Sequence, residues 1–411
     1  MPNNLNNMKD APGAICKAAA KTLHDHIAFC KSVDKVPAKE FEGNNGFGAG
    51  DTVYVSKPAR FVPQDSFDIT STQQDIVEEK VPLTLDIIST LGVNITSMEF
   101  ATEIQLKDTI KRVVRPAMES IAHDFERRCV EKATDAVYNA NGTPGSTAFT
   151  TQVVLAGRTR LNKGMAPKGM GRFNLFESEA GASAVDDRKG SFQDASEIAK
   201  QYKEGFIGRA DGFNWMESEL MNVHTNGNDV TGVAMDGSTA EGASTIHVDG
   251  LTTSTGTLTK GTVFTIAGVY AVHPITKVAY THLQQFVVTA DVTADGSGDA
   301  DVAISPAIYA GSDGLQNVDA LPADNAAITI MGAADGAYVQ NLQYHKSAFR
   351  VCTVPLVMPE KAEFAAQETY KGITVAIIRD FDIKTRKMIT RLDVLGGLVA
   401  DRPEFANRIY S

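Results

Sequence analysis

Residues 103–139 read EIQLKDTIKRVVRPAMESIAHDFERRCVEKATDAVYN. Apolar side chains recur at Ile110, Val114, Met118, Ile121, Phe125, Cys129, Ala133 and Val137. Steps of three and four residues place them on one stripe of a helix. A helix over the whole run would extend roughly 50 Å. Pro116 interrupts it, because proline has no N–H and its ring clashes with the preceding turn. The straight part is therefore expected over 116–138, with Pro116 in its first turn. Asn141 and Gly142 end it, and Pro144 prevents resumption. The other faces carry Arg112, Arg115, Glu119, Asp124, Glu126, Arg127, Arg128, Glu131 and Lys132. Such charge is ordinarily a solvated face. It also suits a spine along which neighbours pack on more than one side.

The 411 residues exceed one ordinary core, so two or three domains are expected. Cys16, Cys30, Cys129 and Cys352 are scattered without paired spacing, which suits reduced thiols rather than a disulfide framework. The opening MPNNLNNMKD has no apolar run, and no stretch approaches the ~20 apolar residues of a membrane span. These features predict a cytoplasmic product without a signal peptide. The net charge of −11 is uneven. Residues 222–337 hold two basic residues, Lys260 and Lys277, against Glu241 and eleven aspartates, a net of −10. The rest of the chain is balanced, at 37 basic to 38 acidic.

Upstream of the spine, residues 10–33 predict a helix with Ile15, Ala19, Leu23, Ile27 and Cys30 on its apolar face, Asp10 as cap and Pro12 in the first turn. His26 and Cys30 have the i, i+4 spacing to share a metal ion. His24 and His26 point apart, however, and no further Cys or His cluster follows. The loop GNNGFGAG (43–50) lacks the Lys-Ser/Thr ending of a phosphate loop and reads as a hinge. Two extended pieces follow, Thr52-Val53-Tyr54-Val55 and Arg60-Phe61-Val62. Their prolines and the carboxylates of 75–84 suit a two-stranded projection that needs a partner surface. Leu91-Gly92 is a turn signal, and Ser97 and Thr102 are N-cap candidates.

Downstream, 153–161 predicts a short helix with Arg158 and Arg160 outward. Residues 172–176 predict a strand, 191–203 a helix, and 213–221 an extended segment. Asp186, Asp187 and Asp194 read as caps and surface. Within 222–337, alternating runs at 245–248, 263–266, 285–288, 302–304 and 328–330 predict strands of a small barrel or sandwich. Gly250, Gly268, Asp295-Gly296 and Asp313-Gly314 are the expected turns. Asp291, Asp295, Asp299 and Asp301 resemble a calcium loop, but their spacing fails the EF-hand pattern and turn aspartates explain them. Residues 372–378 and 388–395 predict buried strands joined by a charged turn with Asp382, Lys384 and Arg386. Gly396-Gly397 is expected to allow close backbone approach.

Several pieces, in order, resemble the major capsid proteins of tailed bacteriophages. They are VEEKVPLTLD (77–86), SMEFATEIQLKD (97–108), VRPAMESIAHDFE (114–126), GFIGRADGFNWMES (205–218), NLQYHKSAFRVCTVPLVMP (341–359) and LDVLGGLVADRPEF (392–405). The resemblance implies an α+β chain of the Hong Kong 97-type fold. It is closest to the subgroup with an inserted β-domain, of the Salmonella short-tailed phage coat type. It implies an N-terminal arm (1–45), an extended loop (46–80) and a peripheral domain strand with the spine helix (81–142). It further implies a first axial and peripheral part (143–221), the acidic inserted β-domain (222–337) and a return (338–411). Implied partners are further copies of the chain, forming capsomers and a shell, together with a scaffolding protein, a portal and packaged double-stranded DNA held non-specifically. The implied location is the virion capsid, assembled in the host cytoplasm. Arg60, Glu78, Glu79, Arg112, Arg115, Arg127 and Arg128 are the candidate intersubunit contacts. The arginines can also meet phosphate, although a near-neutral body grips it weakly.

No Gly-x-Ser-x-Gly, HExxH or Cys-x-x-Cys motif is present, and the eight histidines are dispersed. A self-assembling structural protein without catalytic residues, cofactor or metal is therefore favoured. The alternatives are an enzyme without a recognisable motif and a soluble binding protein displaying a β-module.

Overall fold

The computed structural model describes residues 11–36, 50–57, 80–95, 114–145, 149–188, 208–311, 314–359, 362, 364–382 and 387–410. Among these, the helices are α1 (Ala11–His26), α2 (Phe29–Ser32), α3 (Arg115–Ala136), α4 (Thr151–Lys163) and α5 (Ser178–Asp187). The principal strands begin with β1 (Thr52–Ser56), β2 (Lys80–Thr84), β3 (Ile87–Ile95), β4 (Arg172–Phe176), β5 (Phe213–Glu217) and β6 (Asn222–Thr225). Next come β7 (Ala234–Met235), β8 (Ala243–Asp249), β9 (Val263–Val272), β10 (Ala279–Val288), β11 (Ala300–Ile308) and β12 (Ile328–Ile330). The series closes with β13 (Ala337–His345), β14 (Phe349–Thr353), β15 (Phe364–Tyr370), β16 (Ile373–Asp382), β17 (Lys387–Ala400) and β18 (Ala406–Tyr410).

The chain forms two compact units. One comprises Met1–Val55, Lys80–Val130 and Phe349–Val399; the other comprises Ser56–Glu79, Glu131–Ala348 and Ala400–Ser411. In the first unit a sheet runs β14-β17-β16-β15, with β3 along β17. Helix α1 packs on β15 and β16. Its Cys16, Ala19, Ala20 and Leu23 are buried, as the three–four spacing requires, and Ile27 just past its end is buried too. The helix expected over 10–33 breaks after His26 and resumes as α2. Residues 58–79, including Arg60-Phe61-Val62, lie outside the described residues, as do the capping candidates Asp10, Ser97 and Thr102. Strands β1 and β2 pair with each other. Val53, Val55, Leu83 and Leu85 pack there with Val36, Cys352, Val354 and Leu395, which gives the two strands an apolar partner surface.

One glycine expectation is corrected here and one is met. Leu91-Gly92 is not a turn: β3 continues through it, with Leu91 opposite Leu392 and Gly92 opposite Arg391. Nine successive pairings with β17 outweigh the local preference of one glycine. Gly396 and Gly397 do mark close approach. A Cβ on Gly396 would lie 2.5 Å from the Cys352 carbonyl oxygen and 2.9 Å from the Phe125 ring, and one on Gly397 would lie 2.4 Å from the Thr84 oxygen.

Helix α3 begins one residue before Pro116, so the proline sits in its first turn. It ends at Ala136, two residues earlier than expected, where the Val137 N–H bonds back to Thr134 at 3.1 Å. Val114, Met118, Ile121, Phe125, Cys129, Ala133 and Val137 are buried as the stripe predicts. Ala117, Ala122, Glu126, Val130 and Thr134 are buried too, so the covered arc is wider than one stripe. Ile110 lies outside the described residues.

In the second unit a sheet runs β18-β13-β4-β5, with β6 also on β13. Helix α4 packs on β18 and β13. Gly157 makes this possible, because a Cβ there would meet Gln343 Oε1 at 1.8 Å. Of the two arginines expected outward on α4, Arg158 is exposed and Arg160 is half-buried. Thr150 caps α4, its hydroxyl accepting the Val153 N–H at 3.4 Å. Asp187 Oδ2 accepts the Thr151 N–H at 2.7 Å, so this aspartate does serve as a cap. Helix α5, SEAGASAVDD, was not predicted, because its buried face, Ala180, Gly181 and Ala184, is made of residues too small to read as an apolar stripe. The helix expected over 191–203 falls outside the described residues.

All five alternating runs of 222–337 lie in strands. Together with β7 those strands order as β7-β8-β11-β10-β9-β12. The bridge Ala234–Ala327 joins the two ends. The Met235 N–H to the Ala326 oxygen and the Ile328 N–H to the Val233 oxygen, both 2.9 Å, complete a closed barrel. Phe264 stacks on Phe286 at 5.8 Å inside it. Met235, Ile246, Val248, Ile266, Val288, Val302 and Ile304 fill the rest of that core. Gly268 is a correction: it lies within β9, at φ +80°, where the register to β10 shifts between Thr265 and Tyr270. It marks a bulge rather than a turn.

Candidate functional site

Of the candidate contacts, Arg60, Glu78, Glu79 and Arg112 lie outside the described residues. Arg115 is exposed in the first turn of α3 and forms no ion pair among the described residues. Arg127 and Arg128 converge on Asp124 of their own helix, at 3.4 and 3.2 Å. Ser89 donates its hydroxyl to the same carboxylate at 2.6 Å. Burial alone would raise the Asp124 pKa, but the Ser89 hydrogen bond and the charge of Arg128 outweigh it and hold the carboxyl below its ordinary range. Two of the predicted arginines thus have an intramolecular partner.

Sequence reasoning missed the residue that secures the N-terminal helices. Glu126 on α3 is 1% exposed. Its carboxylate accepts the Ala28 N–H at 2.8 Å and the Phe29 N–H at 2.6 Å, filling the break between α1 and α2. Burial pushes its pKa up, and the two N–H groups pull against that rise. Cys30 in α2 is buried near Cys129. The hydrogen bond to Cys129, then burial, raise its thiol well above the ordinary range. His26 instead lies 3.5 Å from Glu119.

A second unforeseen centre joins the barrel to the rest of its own unit. Arg408 on β18 is fully buried. Its Nε donates to the Val137 carbonyl at 2.6 Å, and its Nη1 donates to the Gly261 carbonyl and to Gln340 Oε1, both at 2.8 Å. One guanidinium thereby ties the end of α3, a barrel loop and β13. Gln285 on β10 pairs with Ala140 in both directions, accepting its N–H at 2.9 Å and donating to its oxygen at 2.8 Å. Lys260 meets Asp135 at 3.1 Å. Tyr138, Ala140, Val263, Val287 and Tyr410 form an apolar cluster beside them. His224 contacts the Thr262 hydroxyl at 3.3 Å, and burial followed by the Arg408 charge pushes its pKa down to about 4. No sequence signal marks Arg408: its burial becomes visible only in the structure, where all five positions of β18 are covered.

The four aspartates of the calcium-like loop act separately. Asp295 Oδ1 accepts the N–H groups of Ser297, Gly298 and Asp299. Asp291 accepts that of Lys260 at 2.6 Å, and Asp301 bonds His247 at 2.8 Å. Among the described residues, no group of three His, Cys, Asp or Glu side chains is placed to hold a metal ion. No helix among them is long and apolar enough to cross a membrane.

A family model described as "P22 coat protein - gene protein 5" matches residues 5–407. A search of curated proteins gives no match. Among solved structures, the chain is similar to one from Mycobacterium phage Che8 at 12% identity and TM-score 0.45, covering 93% of this chain and 90% of that one. It is similar to the capsid of Ralstonia phage GP4 at 7% identity and TM-score 0.45, covering 89% and 84%. It is also similar to the CUS-3 coat protein I-domain at 30% identity and TM-score 0.19, covering 25% of this chain and 96% of that one.

Proposed function

The chain belongs to the P22 coat protein family, and we propose from that footing how its parts divide the work of building a shell. It is a major capsid protein of an icosahedral bacteriophage shell, a structural role, and it self-assembles. The finer reading is a Hong Kong 97-type subunit whose residues 222–337 are an inserted domain. One observation carries it: the strands that lead into and out of the barrel pair with each other. Asn222 lies opposite Gln340, and Thr225 opposite Ala337, so β6 and β13 remain adjacent whatever lies between them. Circular dichroism and a thermal melt of the isolated segment test whether it is a domain in its own right.

In this reading residues 1–45 are the arm and 46–80 the extended loop. The loop, with Arg60, Glu78 and Glu79, lies over a neighbouring subunit, while α3 supports the contact through Arg112, Arg115, Arg127 and Arg128. Residues 143–221 and 338–411 supply the axial and peripheral remainder. The subunits form pentamers and hexamers around double-stranded DNA, with a scaffolding protein and a portal, in the host cytoplasm. The −10 charge of the barrel segment favours an outward or intersubunit position over one facing the genome. Electron microscopy of the purified protein tests assembly: shells or capsomers are expected, and a small stable monomer would refute it. Shortening the loop between Thr52 and Thr70 is expected to leave a folded monomer that makes no shells.

A further inference from the structure

Positive charge is scarce near the barrel, yet three donors gather beside it without a counter-charge. Lys163 at the end of α4 places Nζ 3.2 Å from Nδ1 of His282 on β10. The same amine stands 5.0 Å from the centre of the Tyr280 ring, which stacks on His282 at 5.2 Å. Arg160 lies one turn back on α4. Burial, then the Arg160 charge, lowers the Lys163 pKa, and His282 is pushed down to about 4 by burial, then by Arg160 and Lys163. A neutral His282 that accepts from Lys163 through Nδ1 presents a donor at Nε2. Arg160, Lys163 and His282 are all half-buried, hence accessible, and no carboxylate pairs with them among the described residues. Gathering like charges in a half-buried site is unfavourable unless an anion arrives.

The complementary charge lies at the other end of the barrel. His282 is near the start of β10, toward its hairpin with β9. Residues 291–301 follow the far end of β10, roughly 20 Å away along the strand. Asp291, Asp295 and Asp301 are exposed there, and no lysine or arginine side chain pairs with them among the described residues. We propose that the Arg160–Lys163–His282 cluster of one copy receives the carboxylates of residues 291–301 of a second copy. Two different patches on one module give a head-to-tail contact, the kind that closes into rings. A second copy is favoured over a nucleic acid because every neighbouring copy in a shell brings its own acidic end with it. The contact rests on the shell-building role proposed above.

The test uses the full chain and counts shells by sedimentation and microscopy, with the thermal melt as a folding control. R160E/K163E is expected to lower shell yield about tenfold or more, and D299K/D301K likewise, because like charges then face each other. The quadruple variant restores opposite charges and is expected to recover assembly. Wild-type yield from either double variant, or a folded quadruple variant that fails to recover, would overturn the contact. Should the quadruple variant not fold, Lys163→Gln decides: a weakened salt dependence of assembly supports the contact, and an unchanged one overturns it. Normal shells with less packaged DNA in R160E/K163E would assign the cluster to nucleic acid and also overturn it. Absence of shells from the wild-type protein would count against the capsid role, a separate failure.

Discussion

Glu126 accepts the backbone N–H of Phe29 at 2.6 Å, so the spine helix supplies the cap that α2 lacks in its own sequence. Glu126→Ala removes charge-assisted hydrogen bonds and leaves a buried N–H without a partner. A loss of about 3 kcal/mol is expected from denaturant unfolding.

The same carboxyl has a pH signature. Its folded pKa is raised, so the native state holds the proton over a range where the unfolded state has released it. Stability from this group is then greatest at low pH and falls as pH rises from the unfolded value through the raised one. Subtracting the pH profile of Glu126→Gln from that of the wild type isolates this falling component. A rising difference over that range would contradict the assignment.

Gly396→Ala places a methyl against the Cys352 oxygen and the Phe125 ring. Neither can withdraw, one being backbone and the other a buried ring. Overpacking of this kind is expected to cost about 2 kcal/mol, read as a shift in denaturation midpoint without change of slope.

The barrel segment 222–337, expressed alone, is expected to give a β-type circular dichroism spectrum and a cooperative melt, because its core closes on itself. Arg408→Ala in the full chain leaves three carbonyl partners unmet and is expected to destabilise it by roughly 3 kcal/mol. A random-coil spectrum from the isolated segment would show that the cluster around Val263 and Val287 is needed for folding.

Histidine titrations followed by NMR distinguish three environments. His224 and His282, each held near pKa 4, are expected to stay neutral from pH 5 upward. His247, hydrogen-bonded to Asp301 and close to Asp236, is expected to keep its proton above its ordinary value. Coincident titration of the three would contradict the burial of the first two.

What the sequence made legible follows periodicity. The stripe of α3, the alternation of β1 and the five barrel runs could be read because each buries one face against a core. Helix α5 was illegible because its buried stripe consists of Ala180, Gly181 and Ala184, with no large apolar side chain to mark it. Gly92 misled because a strand paired along its length tolerates a glycine that would mark a turn in isolation, and Gly268 because a bulge uses the same positive φ as a turn. The anchoring residues Glu126, Gln285 and Arg408 lie furthest from sequence inference. Each is a polar side chain whose partners are backbone groups remote in the chain, and backbone partners leave no trace in composition.

The pairing of β6 with β13 also has a practical consequence for protein engineering. The two ends of the barrel segment emerge one strand spacing apart, about 5 Å, and are held there by a ladder that belongs to the sheet below. A foreign domain whose own termini meet at that spacing can be grafted between Thr225 and Ala337 without stretching the scaffold, which makes this junction a natural socket for a substituted module.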